Sequence, residues 1–154
     1  ADDVKVDKIT LKLNGLGIRK AYSIIDVYIG ALYLEKASHD ADAIINSTTP
    51  KKIVLHFLRW IEKGKMQDAW KEGFEKNHEE GYSYRTDLNS LNDAMAHMNN
   101  GDEMSFTFFP DRVEVQAKNN SPTTIKGEKF SRTMLKVFIK DPPDEDLKKG
   151  LLGN

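Results

Sequence analysis

The segment from Ala21 to Leu34 constrains this chain most, because it is apolar on both residue parities. Ile25, Val27, Ile29, Ala31 and Tyr33 fall on one parity, and Ile24, Tyr28 and Leu32 on the other. Side chains alternate across a strand, so a strand that is apolar on both faces sits inside a sheet and is covered on both sides. Asp26 and Gly30 interrupt the run, which falls well short of the roughly 20 apolar residues a bilayer-spanning helix needs. No transmembrane segment is expected.

Around this strand the pattern is one of further strands and then helices. Val4, Val6, Ile9, Leu11 and Leu13 alternate, with a parity shift at Asp7-Lys8 that marks a bulge or short turn. Asn14-Gly15-Leu16-Gly17 reads as a turn with two positive-φ glycines. Asp40 to Asn46 forms a short helix, and Lys52 to Trp60 a third strand with Ile53, Leu55 and Phe57 on its apolar face. On that strand His56 and Arg59 take opposite parities, which argues against a joint role. Glu62 to Asn77 is a helix whose stripe is Met66, Ala69, Trp70, Gly73 and Phe74. Asp87 to Met98 is a second, capped by Asp87 and stopped at Gly101, with Leu88, Leu91, Ala94, Met95 and Met98 buried.

Met104 to Phe109 and Arg112 to Ala117 make a hairpin across Pro110-Asp111, and Thr123 to Ile125 is a short strand. Glu128 to Ile139 is a helix, Pro142-Pro143 breaks it, and Asp144 caps a last helix from Glu145 to Leu151. The order predicts an α+β fold, helices layered on an antiparallel sheet, in one domain spanning residues 1–154.

Composition excludes several chemistries. With no cysteine among the 154 residues, thiolate catalysis, disulfides and thiolate zinc sites are out. A formal charge of −1 does not fit a strongly basic nucleic-acid binder. His39, His56, His78 and His97 show no metal-ligand spacing, and His78-Glu79-Glu80 sits in a charged run that reads as a solvated helix end. The Gly15-Leu16-Gly17 element lacks the rest of a phosphate-loop fingerprint. Ser23, Ser83, Ser90, Ser105 and Ser131 have no nucleophile-elbow context. Neither metal nor cofactor is expected, and no catalytic residue is assigned.

Arg19 stands out instead. It follows the glycines and leads into the most apolar strand, so its guanidinium is placed to hold an anion such as a carboxylate at the mouth of an apolar layer. Tyr28, within that strand, offers a phenol donor.

The segments Leu13-Asn-Gly-Leu-Gly-Ile-Arg19 and Ile29-Gly-Ala-Leu-Tyr-Leu-Glu35 resemble the N-terminal signature of the chalcone isomerase fold, most of all in its bacterial chalcone-isomerase-like proteins. Lys52 to Arg59, Met66 to Gly73, Gly101 to Pro110 and Pro143 to Gly153 agree with it in order. The resemblance implies an open-faced β-sandwich: a large antiparallel sheet with helices on one face and a ligand cleft between them. It also implies residue roles. Arg19 matches the arginine that binds the oxyanion in plant isomerases, and Tyr28 the position of their water-ordering threonine. The polar helix residues of those enzymes fall on Met66, Ala69 and Gly73, which donate no side-chain hydrogen bonds and would leave the cleft wider and apolar. A one-turn shift of that helix would offer Lys65 or Lys71.

The fatty-acid-binding branch of the superfamily keeps the arginine with a tyrosine in the adjacent strand, similar to Arg19 and Tyr28. The expected function is therefore non-catalytic binding of a small apolar acid such as a fatty acid, by Arg19, Tyr28, Met66, Ala69, Trp70 and Gly73. The alternatives are an isomerase or lyase acting on an enone or phenolic substrate, and a structural or partner-binding domain with a filled cleft. Members resembling this chain generally carry a signal peptide, and the Ala1-Asp2-Asp3 start fits a cleaved one, so a periplasmic protein is expected, with the cytoplasm as alternative. Nothing in the pattern sets an oligomeric state.

Overall fold

The computed structural model describes residues 2–21 and 25–154; Ala1, Ser23 and Ile24, which enter the sequence reading, lie outside them. Seven strands make one antiparallel sheet in chain order, so each strand pairs with its sequence neighbours. They are β1 (Asp3–Val6), β2 (Ile9–Ala21), β3 (Ile25–Leu34), β4 (Lys51–Phe57), β5 (Glu103–Phe109), β6 (Arg112–Ala117) and β7 (Thr123–Lys126). The helices are α1 (Ala41–Asn46), α2 (Lys63–Asn77), α3 (Arg85–Asp93), α4 (Glu128–Ile139) and α5 (Glu145–Leu151). The fold is α+β, as the element order implies.

One core lies between the sheet and the helix layer. Leu32, Ile53, Leu55, Phe106, Val113 and Val115 from the strands meet Phe74, Leu91, Phe130, Phe138 and Leu147 from the helices, each no more than 1% exposed. A second, smaller cluster occupies the opposite face, where Val6, Leu11, Ala31, Tyr33 and Phe109 pack together. This explains why both parities of β3 are apolar. Tyr28, Leu32 and Leu34 serve the helix-side core, and Ala31 and Tyr33 the other, whose cover comes from the curled β1–β2 hairpin rather than from helices.

Three sequence expectations are corrected. Asn14 to Gly17 is not a turn: β2 runs through it, with an irregularity in pairing between Leu13 and Gly15, and neither glycine has a positive φ. The glycines are required by close approach instead. A Cβ on Gly15 would stand 2.1 Å from the Gly150 carbonyl oxygen, one on Gly17 2.5 Å from that of Leu147, and one on Gly150 2.1 Å from that of Leu16. Helix α5 thus lies backbone against backbone on β2. Asn14 ties the same contact, donating from Nδ2 to the carbonyls of Ser38 and Leu151, each at 2.9 Å.

The strand expected over Lys52 to Trp60 is β4, and it ends at Phe57, although Leu58 still donates to the Val27 carbonyl at 3.0 Å. Helix α3 starts at Arg85 and ends at Asp93, and Asp87 lies in its first turn rather than capping it. Its carboxylate accepts a 2.6 Å hydrogen bond from the Tyr82 hydroxyl. The helix stops early because Met98 pairs with Ile61 in an isolated antiparallel bridge, which draws the chain out of helical register while Met95 and Met98 stay buried. The other helices match, α1 and α5 being capped by the side chains of Asp40 and Asp144.

The glycine contact gives a prediction with two signs. Gly17→Ala and Gly150→Ala each force a methyl into backbone oxygen and should destabilise by about 3 kcal/mol or more, lowering Tm by roughly 6–12 °C. Gly64→Ala, whose Cβ would meet only the Glu62 side chain, should instead stabilise by up to about 1 kcal/mol. Thermal denaturation of the three variants checks both signs.

Candidate functional site

Between the inner face of β2–β4 and helix α2 lies a cavity of about 550 Å³. All six residues singled out as binding candidates, Arg19, Tyr28, Met66, Ala69, Trp70 and Gly73, line it. They come from three elements. Arg19 of β2 and Tyr28 of β3 are cross-strand partners, so their side chains share the inner face, and Tyr28 is in turn paired with Phe57 of β4. The rings of Tyr28 and Phe57 meet edge-to-face with centroids 5.6 Å apart. Met66, Ala69, Trp70 and Gly73 stand at i, i+3, i+4 and i+7 along one face of α2.

The four helix residues do different things. Trp70 is held by edge contacts to Phe106 and Phe138, with centroids 5.7 and 5.9 Å away, and its indole N–H points to the Met95 sulfur at 3.0 Å. It therefore forms a fixed wall. Ala69 is exposed and opens into the cleft. Gly73 does not widen the cleft as expected. A Cβ there would stand 2.9 Å from Val137 Cγ1, so α4 already fills that space and the glycine serves helix packing. Phe74 packs instead in the core against Tyr84 and Phe130. The cleft is therefore not closed by the α2 stripe.

The deep lining is apolar, with Leu55, Phe57, Ile61 and Val137 joining Met66 and Trp70. Charge is confined to the mouth. Arg19, Arg59, Lys65 and Lys76 line it together with Glu62, Glu72 and Asp141. Lys76 and Glu72 form an i,i+4 pair at 3.6 Å and offset each other. Among the described residues neither Arg19 nor Arg59 is in an ion pair. The Arg19 guanidinium donates to the Lys20 carbonyl, which uses one of its five N–H groups. Of the two lysines a shifted helix alignment would offer, Lys65 lines the cleft and Lys71 does not.

Arg59 was missed in the sequence because it was set against His56 on parity. The useful comparison is with Phe57: two residues on along the same strand face, Arg59 continues the inward parity into the loop. His56 faces the other way and hydrogen-bonds Glu103 at 3.0 Å.

Burial pushes the Tyr28 phenol far above its ordinary value of 10.0; the Arg19 charge opposes this and Asp144 adds to it. Tyr28 therefore stays a neutral donor in any physiological medium. Asp144 reaches the region because its carboxylate accepts from the backbone N–H of Lys20 at 2.9 Å while capping α5. The same residue that starts the packed helix thus fixes the end of β2 beside Arg19. No cluster of three or more His, Asp or Glu residues able to hold a metal ion occurs among the described residues.

The model of a family described as chalcone isomerase-like matches residues 1–153. Among solved structures, a fatty-acid binding protein of Arabidopsis thaliana superposes with a TM-score of 0.74 at 16% sequence identity, covering 97% of this chain and 95% of its own. At that identity the likeness shows a shared fold. No curated protein matches the chain in sequence.

The raised Tyr28 pKa has a measurable sign. As pH climbs past 10 the unfolded chain gives up this proton and the native state keeps it, so stability falls with rising pH. Tyr28→Phe removes that contribution. Its urea midpoint should fall less steeply than the parent's above pH 10, and equal slopes would contradict the assignment.

Proposed function

The chain belongs to the chalcone isomerase-like family, and from that premise and the lining of its cleft we propose that it is a non-catalytic binder of an apolar acid of the fatty-acid class. The carboxylate sits at the mouth against Arg19, with Tyr28 as second donor, and the acyl chain lies along Met66, Ala69 and Trp70. The observation that carries this reading is the separation of character within one cavity. Its interior is hydrocarbon and aromatic, while two guanidinium groups that are in no ion pair among the described residues stand at its opening. An amphiphilic acid is the ligand class that satisfies both ends, because apolar burial supplies affinity and the charged hydrogen bond fixes orientation.

The α2 face supports binding rather than catalysis. Closing a phenolate onto an enone needs donors that polarise the ketone and orient the nucleophile. Met66, Ala69 and Gly73 present none along the helix that faces Tyr28. The solved fatty-acid binding protein of the same fold points in the same direction.

The test is binding of a fluorescent long-chain fatty acid, together with mass spectrometry of organic extracts from purified protein. The parent should bind the probe and carry a co-purifying acid. Arg19→Ala should weaken binding by roughly 10–100-fold, the effect of losing a charge-assisted hydrogen bond. Ala69→Trp, which fills the apolar channel without touching charge, should also abolish it. A parent protein that binds no acid, or that cyclises chalcone above the spontaneous rate in an Arg19-dependent way, overturns the reading.

A further inference from the structure

The rim of the cleft carries an exposed indole that the binding reading does not use. Trp60 is 55% exposed, on the loop between β4 and α2, and lines the cavity mouth. Its orientation is built. The ring stacks on His97 with centroids 5.9 Å apart and planes 19° from parallel. His97 is itself fixed, accepting from the Lys63 backbone N–H at 3.2 Å. The loop beneath is pinned by the Ile61–Met98 bridge, with hydrogen bonds of 2.7 Å from Ile61 N–H to the Met98 carbonyl and 3.0 Å in return. The indole is thus held out on a braced platform rather than folded into the apolar cleft beside it.

Glu72 and Asp141 also line the mouth, but the segment that carries the indole is itself mainly basic. Arg59, Lys63 and Lys65 are all exposed within the same short segment, against Glu62 alone. A tryptophan flanked by cations is suited to an interface where an apolar layer meets anionic groups. The indole sits at the headgroup level of a bilayer and basic side chains are drawn to anionic lipid. The net charge of −1 for the whole chain makes this local excess the more distinctive.

We propose that this rim, Trp60 with Arg59, Lys63 and Lys65, docks the protein on an anionic lipid bilayer and so presents the cleft mouth to the membrane from which an apolar acid is drawn or to which it is delivered. The inference rests on the acid-binding reading for its cargo, but the docking surface stands or falls separately. Trp60, Arg59 and Lys65 line the mouth and Lys63 lies beside them in the chain, so an acid could pass between bilayer and cleft without its chain crossing water.

The chain has only two tryptophans, and Trp70 is 5% exposed, so a vesicle-induced blue shift of emission reports Trp60. The experiment is co-sedimentation and Trp emission with vesicles of phosphatidylcholine alone and of phosphatidylcholine mixed with phosphatidylglycerol, at low and high salt. Expected is association with the mixed vesicles only, a blue shift on binding, and weakening by salt. Lys63 does not line the cavity. Lys63→Glu should therefore bind a fluorescent fatty acid in solution like the parent, yet lose roughly 25-fold in vesicle affinity, at about five-fold per unit of charge. No association with mixed vesicles, equal association with neutral ones, or sedimentation without an emission shift overturns the docking face. A parent that docks but binds no fatty acid in solution overturns the acid reading and leaves the docking face standing.

Discussion

The closeness of α5 to β2 is the constraint on which the rest of the structure depends. Two strand glycines meet a helix glycine with no side chain between them, so backbone lies on backbone. Because the helix sits so low, Leu147 and Leu151 reach over Gly30 of β3 as part of the same packing. Asp144, capping that helix, also holds the Lys20 backbone N–H. The far end of β2 is therefore set by the helix that lies on its middle, and Arg19 takes its place at the cleft mouth from that arrangement. Sterics at Gly15 and Gly17 and electrostatics at Arg19 are two consequences of one strand being pressed against one helix.

A cavity of about 550 Å³ beside a core this tightly packed needs a physical reason to persist. Protein interiors are close-packed, and surrounding groups collapse into space where they can. Here they are held back. Trp70 is braced by Phe106 and Phe138, and Tyr28 by Phe57, so neither large ring can swing inward freely. Gly73 looks like a space-maker but lets Val137 approach, locking α2 to α4 and fixing how far α2 stands from the sheet. Ala69 is the one position on that face where a small side chain leaves real room. The cleft is kept by a rigid frame with one short residue, not by a row of small ones.

Much of this was legible in the sequence. The two-sided apolarity of β3 gave away its central place, and the strand-then-helix order gave the class. The stripe on α2 marked a shared helix face, because helical spacing converts directly into one, but it was the resemblance that assigned Met66, Ala69 and Gly73 to the cleft, and Phe74 of the same stripe packs in the core. The glycines were legible as residues but not as a mechanism. A glycine allows a positive φ and also permits close approach, and only the partner distinguishes them; that partner, Gly150, lies far along the chain. The early end of α3 was hidden for the same reason: local periodicity continues to Met98, but a bridge to Ile61 wins over it. Arg59 was within reach, since parity with Phe57 pointed it inward.

The charge of the molecule acquires its meaning only at the mouth. A chain at −1 has no general field to gather anions, so attraction has to be local and geometric. On the proposed reading the mouth would supply it, since Lys76 pairs with Glu72 while, among the described residues, Arg19 and Arg59 are in no ion pair. A guanidinium remains charged under all ordinary conditions and is less strongly hydrated than an ammonium, so it gives up water to a carboxylate at lower cost. Tyr28, kept neutral by burial and never competing as an anion, adds a donor without adding charge. On the proposed reading, selectivity for an acid over an equally apolar alcohol or ester would rest on the guanidinium groups at the mouth, Arg19 first among them. The same apolar interior would hold any of them, but only the acid meets the guanidinium with a full negative charge.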